Sequence, residues 1–171
     1  MTWALFAAGL ATFAELYTTQ PLLPLLSTHF GVAPGSAALS VSVTTLTLGI
    51  ALLFVGPMSE VVGRTKVMMI SLFGASVMAV ACAAAPTWGS LLVLRGLLGF
   101  AVAGLPAVAV AYLREEVAPS AMARATGQYI GGTALGGMSG RLVAGALADV
   151  GGWRLAVAGI GVLGLVCAIF V

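Results

Sequence analysis

Apolar residues run through this chain in long stretches, separated by short breaks of glycine, proline or a few charged residues. The stretches cover roughly 3–26, 37–58, 67–85, 88–112, 123–148 and 153–171. A helix needs about 20 apolar residues to cross the hydrocarbon core of a bilayer, so each stretch predicts one span. Residues 1–171 then form a single transmembrane domain. Backbone in hydrocarbon must satisfy its own N–H and C=O groups, and the strict alternation of a membrane barrel strand is missing. The expected fold class is therefore an all-α membrane protein, a six-transmembrane-helix bundle.

The breaks carry ordinary turn chemistry: Gly31, Pro34 and Gly35, then Gly63, Pro86, Pro119, and the pair Gly151–Gly152. None is long enough to be a domain linker. Composition agrees with the bilayer as solvent, with 61% of residues hydrophobic, 7% charged and a mean hydropathy of +1.15. The formal charge of +2 is too small and too interrupted for a nucleic-acid or lipid-binding surface. Charge position says more. Arg64 and Lys66 follow the second span, and Arg114 and Arg124 follow the fourth, which predicts two cytoplasmic loops and both ends of the segment inside. His29 falls in the first outer loop and reads as a solvated or headgroup-level side chain. Cys82 and Cys167 stand singly in apolar runs and read as small buried residues, with no metal or disulfide spacing. The first twenty residues lack a basic leader, and Glu15 interrupts them, so they predict a retained span and not a secretory signal.

Glycine sets how closely such helices approach. Gly132, Gly136 and Gly140 recur every fourth residue with Gly137 beside them, leaving one face of the fifth span almost bare. That face serves either close helix packing or a sliding surface. Glu15, Arg95 and Arg141 are ionisable residues inside spans, where a charge costs on the order of 2.5–3.5 kcal/mol on insertion scales. They are expected to face a cavity or each other. Glu15 is the candidate to take and lose a proton. Tyr17, Thr18, Thr19 and Gln20 follow it, and Pro21 and Pro24 break the helix, so polar side chains and freed carbonyls meet in one segment of the kind that lines a substrate path.

The segment Gly56–Lys66, GPMSEVVGRTK, resembles the signature loop between helices two and three of the major facilitator superfamily. Gly56, Ser59, Gly63 and Arg64 match that pattern; Glu60 stands at its acidic position, Val61 replaces its first basic residue and Thr65 its last. The segment REEVAPSAMARATG resembles the family's connection after helix four through Glu116, Pro119 and Arg124. Arg95, Gly99 and Gly104 resemble its helix-four pattern, in which an arginine beside the cavity goes with proton coupling. GTALGGMSGR resembles the glycine-rich helix-five motif of antiporters, with Gly137 in place of its proline and Arg141 in place of its last glycine. With TTQPLLPLL at the end of the first span, the set is similar to the bacterial arabinose-efflux or multidrug permease branch.

The resemblance implies one half of a twelve-helix transporter, built of two inverted three-helix repeats, with solute bound between halves. It implies a proton-coupled exporter of a small organic solute in the bacterial inner membrane, driven by the proton gradient and using no cofactor. Glu15, Tyr17, Gln20, Arg95 and Arg141 are expected on the proton and substrate pathway. Glu60, Arg64, Glu116 and Arg124, with Gly56 and Gly63, are expected at a cytoplasmic gate in which Glu116 pairs with Arg64. Gly99, Gly132, Gly136, Gly137 and Gly140 are expected at helix contacts. The partners implied are the bilayer, the solute and a second six-helix half, expected from a C-terminal half absent from the chain, which ends inside an apolar stretch. The alternatives are a homodimeric transporter of two copies, and a bundle that only assembles with a membrane partner. An enzyme is not expected, since no metal-ligand cluster, activated nucleophile or phosphate loop is found, and no nucleic acid is implied.

Overall fold

The computed structural model of the protein describes residues 2–171, apart from the side chain of Phe170. Its helices are α1 (Thr2–Tyr17), α2 (Leu23–Phe30), α3 (Pro34–Ala37), α4 (Leu39–Val62), α5 (Arg64–Ala83), α6 (Trp88–Val102), α7 (Gly104–Glu116) and α8 (Met122–Phe170), with a 3-10 turn at Pro119–Ala121. No strand occurs among the described residues. Helix α8 is a single run in name only: Gly151 and Gly152 leave helical geometry, with Gly152 at φ 75°, and divide it into arms 122–150 and 153–170. A β-carbon is disfavoured at that φ, so glycine permits the reversal.

Six rods result. Pro34–Val62, Arg64–Ala83, Trp88–Glu116 and Pro119–Ile169 are each long and apolar enough to cross a membrane, the last containing both arms of α8. The first rod is different, because α1 has 16 residues and α2 has 8, each short of the roughly 20 a continuous span needs. They act in series, joined by a turn at 18–22. The rod Trp88–Glu116 is stepped at Ala103, where Ser71 of α5 repairs the backbone. Its hydroxyl donates to Ala101 O at 2.5 Å and accepts from Leu105 N at 3.2 Å. Freed backbone groups in hydrocarbon need such partners. The same rod starts on a capping box, with Thr87 and Ser90 reciprocally hydrogen-bonded.

Helix α1 lies at the centre, packed on the first arm of α8 and touching α4, α5, α6 and α7. Along one face its residues are buried, including Leu5, Ala8, Ala11, Glu15 and Leu16. Trp3, Phe6, Leu10, Phe13 and Tyr17 form the opposite, incompletely buried stripe, at the three- and four-residue spacing of a single helix face, and Gln20 follows it in the turn. The glycine face of α8 is turned to α1. A β-carbon at Gly132, Gly136 or Gly140 would collide with the backbone of Phe6, Leu10 or Ala14 respectively. The bare stripe is thus a seam inside this bundle, in which two helices run parallel with backbones in contact. Gly99 of α6 is a second such point, where a β-carbon would strike Thr47 and the Thr44 carbonyl of α4.

Candidate functional site: a broken helix, a buried carboxyl and an open arginine

The break after α1 is the structural centre of the site. Four carbonyls at a helix C-terminus lack intrahelical donors, and here each has a substitute. Thr18 Oγ1 donates to Ala14 O at 2.7 Å, and Gln20 N donates to Tyr17 O at 3.0 Å. Arg95 supplies the remaining pair, Nη1 donating to Glu15 O at 3.3 Å and Nη2 to Leu16 O at 2.8 Å. Its Nε donates to Ser40 O at 3.1 Å. Arg95 is 1% exposed, so its charge is met by backbone dipoles, including those of a helix C-terminus, where a cation is favoured. It clamps α6 to the end of α1 and the start of α4.

Glu15 is wholly buried, and neither carboxyl oxygen has a hydrogen-bond partner among the described residues. The side chain points away from the incompletely buried stripe, toward Ser76 of α5 and Gly164 in the second arm of α8. A β-carbon at Gly164 would meet Glu15 Oε1 and lie 2.6 Å from Ser76 Oγ. Ser76 itself donates to Leu72 O at 2.9 Å. Glycine at 164 therefore makes the space that the carboxyl occupies. Glu15 and Arg95 meet through the Glu15 backbone and do not form an ion pair among the described residues.

Tyr17, Gln20 and Arg141 form a separate group on the open side. Arg141 Nε donates to Gln20 Oε1 at 2.5 Å, Nη1 donates to Gly137 O at 3.1 Å, and the guanidinium lies 4.3 Å from the Tyr17 ring centroid. Gly137 lies beneath that ring: a β-carbon there would be 3.4 Å from it. Phe13 is one turn further along, 6.4 Å from Tyr17. The five pathway candidates thus divide into a buried pair, Glu15 and Arg95, and an open trio. Both members of the pair are enclosed among the described residues, not on the bundle's surface.

At the end of the bundle where α4 meets α5, Gly63 makes the turn at φ 101°, and Ser59 Oγ donates to Gly56 O at 2.6 Å. Arg64 Nη2 reaches Glu115 Oε1 at 2.7 Å. The expected pairing of Arg64 with Glu116 is corrected by one residue: with consecutive acids at the end of a helix, the direction of each side chain decides which can reach, and a one-residue step rotates it by about 100°. Glu60 lines the same cleft as Arg64 and Glu115. Arg124 is elsewhere, exposed beside Thr2, Trp3 and Gln128.

Ser76, Gly164, Ser40 and Glu115 were not legible as site residues. The three small residues lie in apolar runs and carry no local signal, the contacts of Arg95 alone spanning 55 to 80 residues of sequence, while Glu115 stands beside an equivalent acid that sequence could not tell from it. His29, exposed as expected, also has a defined partner in Arg154, whose Nη1 lies 3.1 Å from His29 Nε2 while Nη2 donates to Ala85 O at 3.1 Å. Cys82 is buried and Cys167 half-buried.

The profile of the Major Facilitator Superfamily matches residues 5–171. The chain is 45% identical over 169 residues to the Inner membrane transport protein YnfM of Escherichia coli (strain K12), covering 99% of this chain and 40% of that protein. It is 46% identical over 169 residues to the Uncharacterized MFS-type transporter YybF of Bacillus subtilis (strain 168), covering 99% and 42%. Among solved structures it resembles a bacterial homologue of the human lysosomal transporter Spinster, in an inward-facing and occupied conformation, with a TM-score of 0.85 at 20% identity, over 99% of this chain and 42% of that one. The chain therefore spans about two fifths of the length of these relatives. Its fold is a half-transporter helical bundle, the named relatives are transporters and not enzymes, and the chain is an integral membrane protein that belongs to the Major Facilitator Superfamily.

Proposed function

We propose that this bundle is the N-terminal half of a proton-coupled secondary transporter that exports a small organic solute across the bacterial inner membrane. In this reading it works by alternating access, rocking against a second six-helix half, with the incompletely buried stripe of α1 facing that partner. Both ends of the segment are cytoplasmic, and Gly56, Glu60, Gly63, Arg64, Glu115 and Arg124 serve its inner end. The observation that carries the reading is Glu15: a carboxyl enclosed in the membrane part of the bundle, without a hydrogen-bond partner among the described residues, on a helix that breaks two residues later. A lone charge is costly in such a place, which makes this carboxyl the candidate to bind and release a proton as the bundle opens and closes. Arg95 holds the break that carries Glu15, and Arg141 places a cation on the solute side. The second half is supported by the coverage of 40–42% of each relative. Proton-driven solute flux in vesicles, measured on the native protein that carries this chain, tests the assignment. Glu15→Gln is expected to abolish coupling to the gradient while leaving solute exchange at equilibrium, and undiminished coupling in that variant overturns it.

A further inference from the structure

We propose that Arg141, Gln20 and Tyr17 form an oxyanion subsite, and that the transported solute is an organic carboxylate with an apolar body. The proposal rests on the transport reading above and names the substrate class.

Three features of the geometry point to it. First, the arginine is held but not neutralised. Nε and Nη1 are engaged by Gln20 and Gly137, and the guanidinium is stacked on Tyr17, whereas Nη2 has no acceptor among the described residues. No carboxylate lies within ion-pair distance of Arg141 among them. This contrasts with Arg95, all of whose nitrogens donate to carbonyls. Second, the position forbids lipid as the occupant. Arg141 precedes Asp149 by eight residues of helix, about 12 Å at 1.5 Å per residue, which places it within the hydrocarbon depth. A charge facing lipid there is strongly disfavoured, yet the contact between Arg141 and Gln20 lies on the open face. Third, the donors are paired. Gln20 accepts from Arg141 through Oε1, so its amide N–H groups, without an acceptor among the described residues, belong to the side chain that already touches the guanidinium. A carboxylate offers two oxygens in one plane and takes two such donors together.

The apolar part of the solute is read from the rest of the stripe. Tyr17 and Phe13 follow one another along α1, and each is only half-buried. A ligand anchored at Arg141 by its carboxylate lays its body along these rings. A small inorganic anion would leave them unused, and a neutral amphiphile would leave Nη2 without an acceptor, a discrimination of the kind that unpaired polar groups enforce.

Equilibrium binding, with no gradient, is the test, because it is independent of proton coupling and of Glu15. The purified native protein carrying this chain is titrated in lipid nanodiscs with benzoate, phenylacetate and hexanoate, each against its neutral amide. At least one acid is expected to bind tenfold or more tightly than its amide. Arg141→Gln is expected to remove that preference, and Gln20→Glu, which keeps the arginine and supplies a competing carboxylate, is expected to remove it with thermal stability retained. No preference for any acid over its amide overturns the proposal. So does a preference that survives both substitutions. A third overturning result is loss of thermal stability in Arg141→Gln without any change in acid preference, which would assign Arg141 to a carboxylate of the second half. Failure of proton coupling in the flux assay with intact acid preference would strike the transport mechanism and leave this subsite standing.

Discussion

Arg95 and Arg141 are both arginines in membrane-spanning helices, and the bundle treats them in opposite ways. Arg95 is enclosed, and its nitrogens are consumed by three backbone carbonyls at the ends of α1 and α4. Arg141 stands on the open face, stacked on Tyr17, with part of its guanidinium free of acceptors among the described residues. The comparison shows that a charge inside a membrane segment does not by itself mark a ligand site. What distinguishes the two is whether the fold already satisfies the donors. Arg95 lets α1 break in the middle of the bundle, and Arg141 offers what remains unsatisfied to something outside it.

Substituting each arginine separates these roles with the largest expected effect. Arg95→Ala orphans the Glu15 and Leu16 carbonyls in a layer without water, at about 1–3 kcal/mol for each buried unsatisfied group. A loss on the order of several kcal/mol is a large part of a membrane bundle's stability, so little folded protein should be recovered. Arg141→Gln orphans no buried carbonyl in the same way, because Gly137 O belongs to a helix, and it should change stability by less than about 1 kcal/mol. Thermal melting of both variants, followed by tryptophan fluorescence, checks this. Equal destabilisation would erase the distinction.

The glycines of α8 make the second comparison. Gly136 lies against the Leu10 backbone, whereas nothing lies within 4 Å of a β-carbon placed at Gly131 on the same arm. Gly136→Val must push two backbones apart and should destabilise by about 1–3 kcal/mol or more, as overpacking does. Gly131→Val should be close to neutral. The two melting curves, measured side by side, sharpen the view of α1 and the first arm as one rigid unit; a tolerated valine at 136 would instead favour a seam that slides.

How much of this was legible follows the range of the contacts. The rods are written locally, as apolar runs between Gly63, Pro86, Pro119 and Gly151–Gly152, because each helix satisfies its own backbone wherever it lies. The break after Tyr17 was legible too, from Pro21 and Pro24. The four-residue glycine spacing announced a close contact but not its partner, since any backbone can fill a bare face. Least legible was the direction of the ionisable side chains. Glu15 and Tyr17 are two residues apart, so they project to opposite sides of α1, one into the bundle toward Ser76 and one to the open stripe with Gln20. Sequence adjacency suggested one pathway for residues that helical geometry separates.

The smallest effect belongs to the far end of the bundle, where neighbouring acids make the comparison. Arg64 is paired with Glu115 at 2.7 Å, with Glu115 54% exposed, while Glu116 is one step further along and unpaired among the described residues. Exposed pairs of this kind couple by roughly 0.2–1 kcal/mol, and screening by salt lowers that further. A double-mutant cycle of Arg64→Ala with Glu115→Ala should therefore return a coupling of a few tenths of a kcal/mol at low ionic strength, and Arg64→Ala with Glu116→Ala should return none. If the coupling sits at Glu116 instead, the last turn of α7 is rotated in solution and the sequence-based pairing is restored. If it sits at Glu115 but vanishes when this end of the bundle is driven open, the pair belongs to one conformation of the bundle, and a coupling so small is readily made and broken.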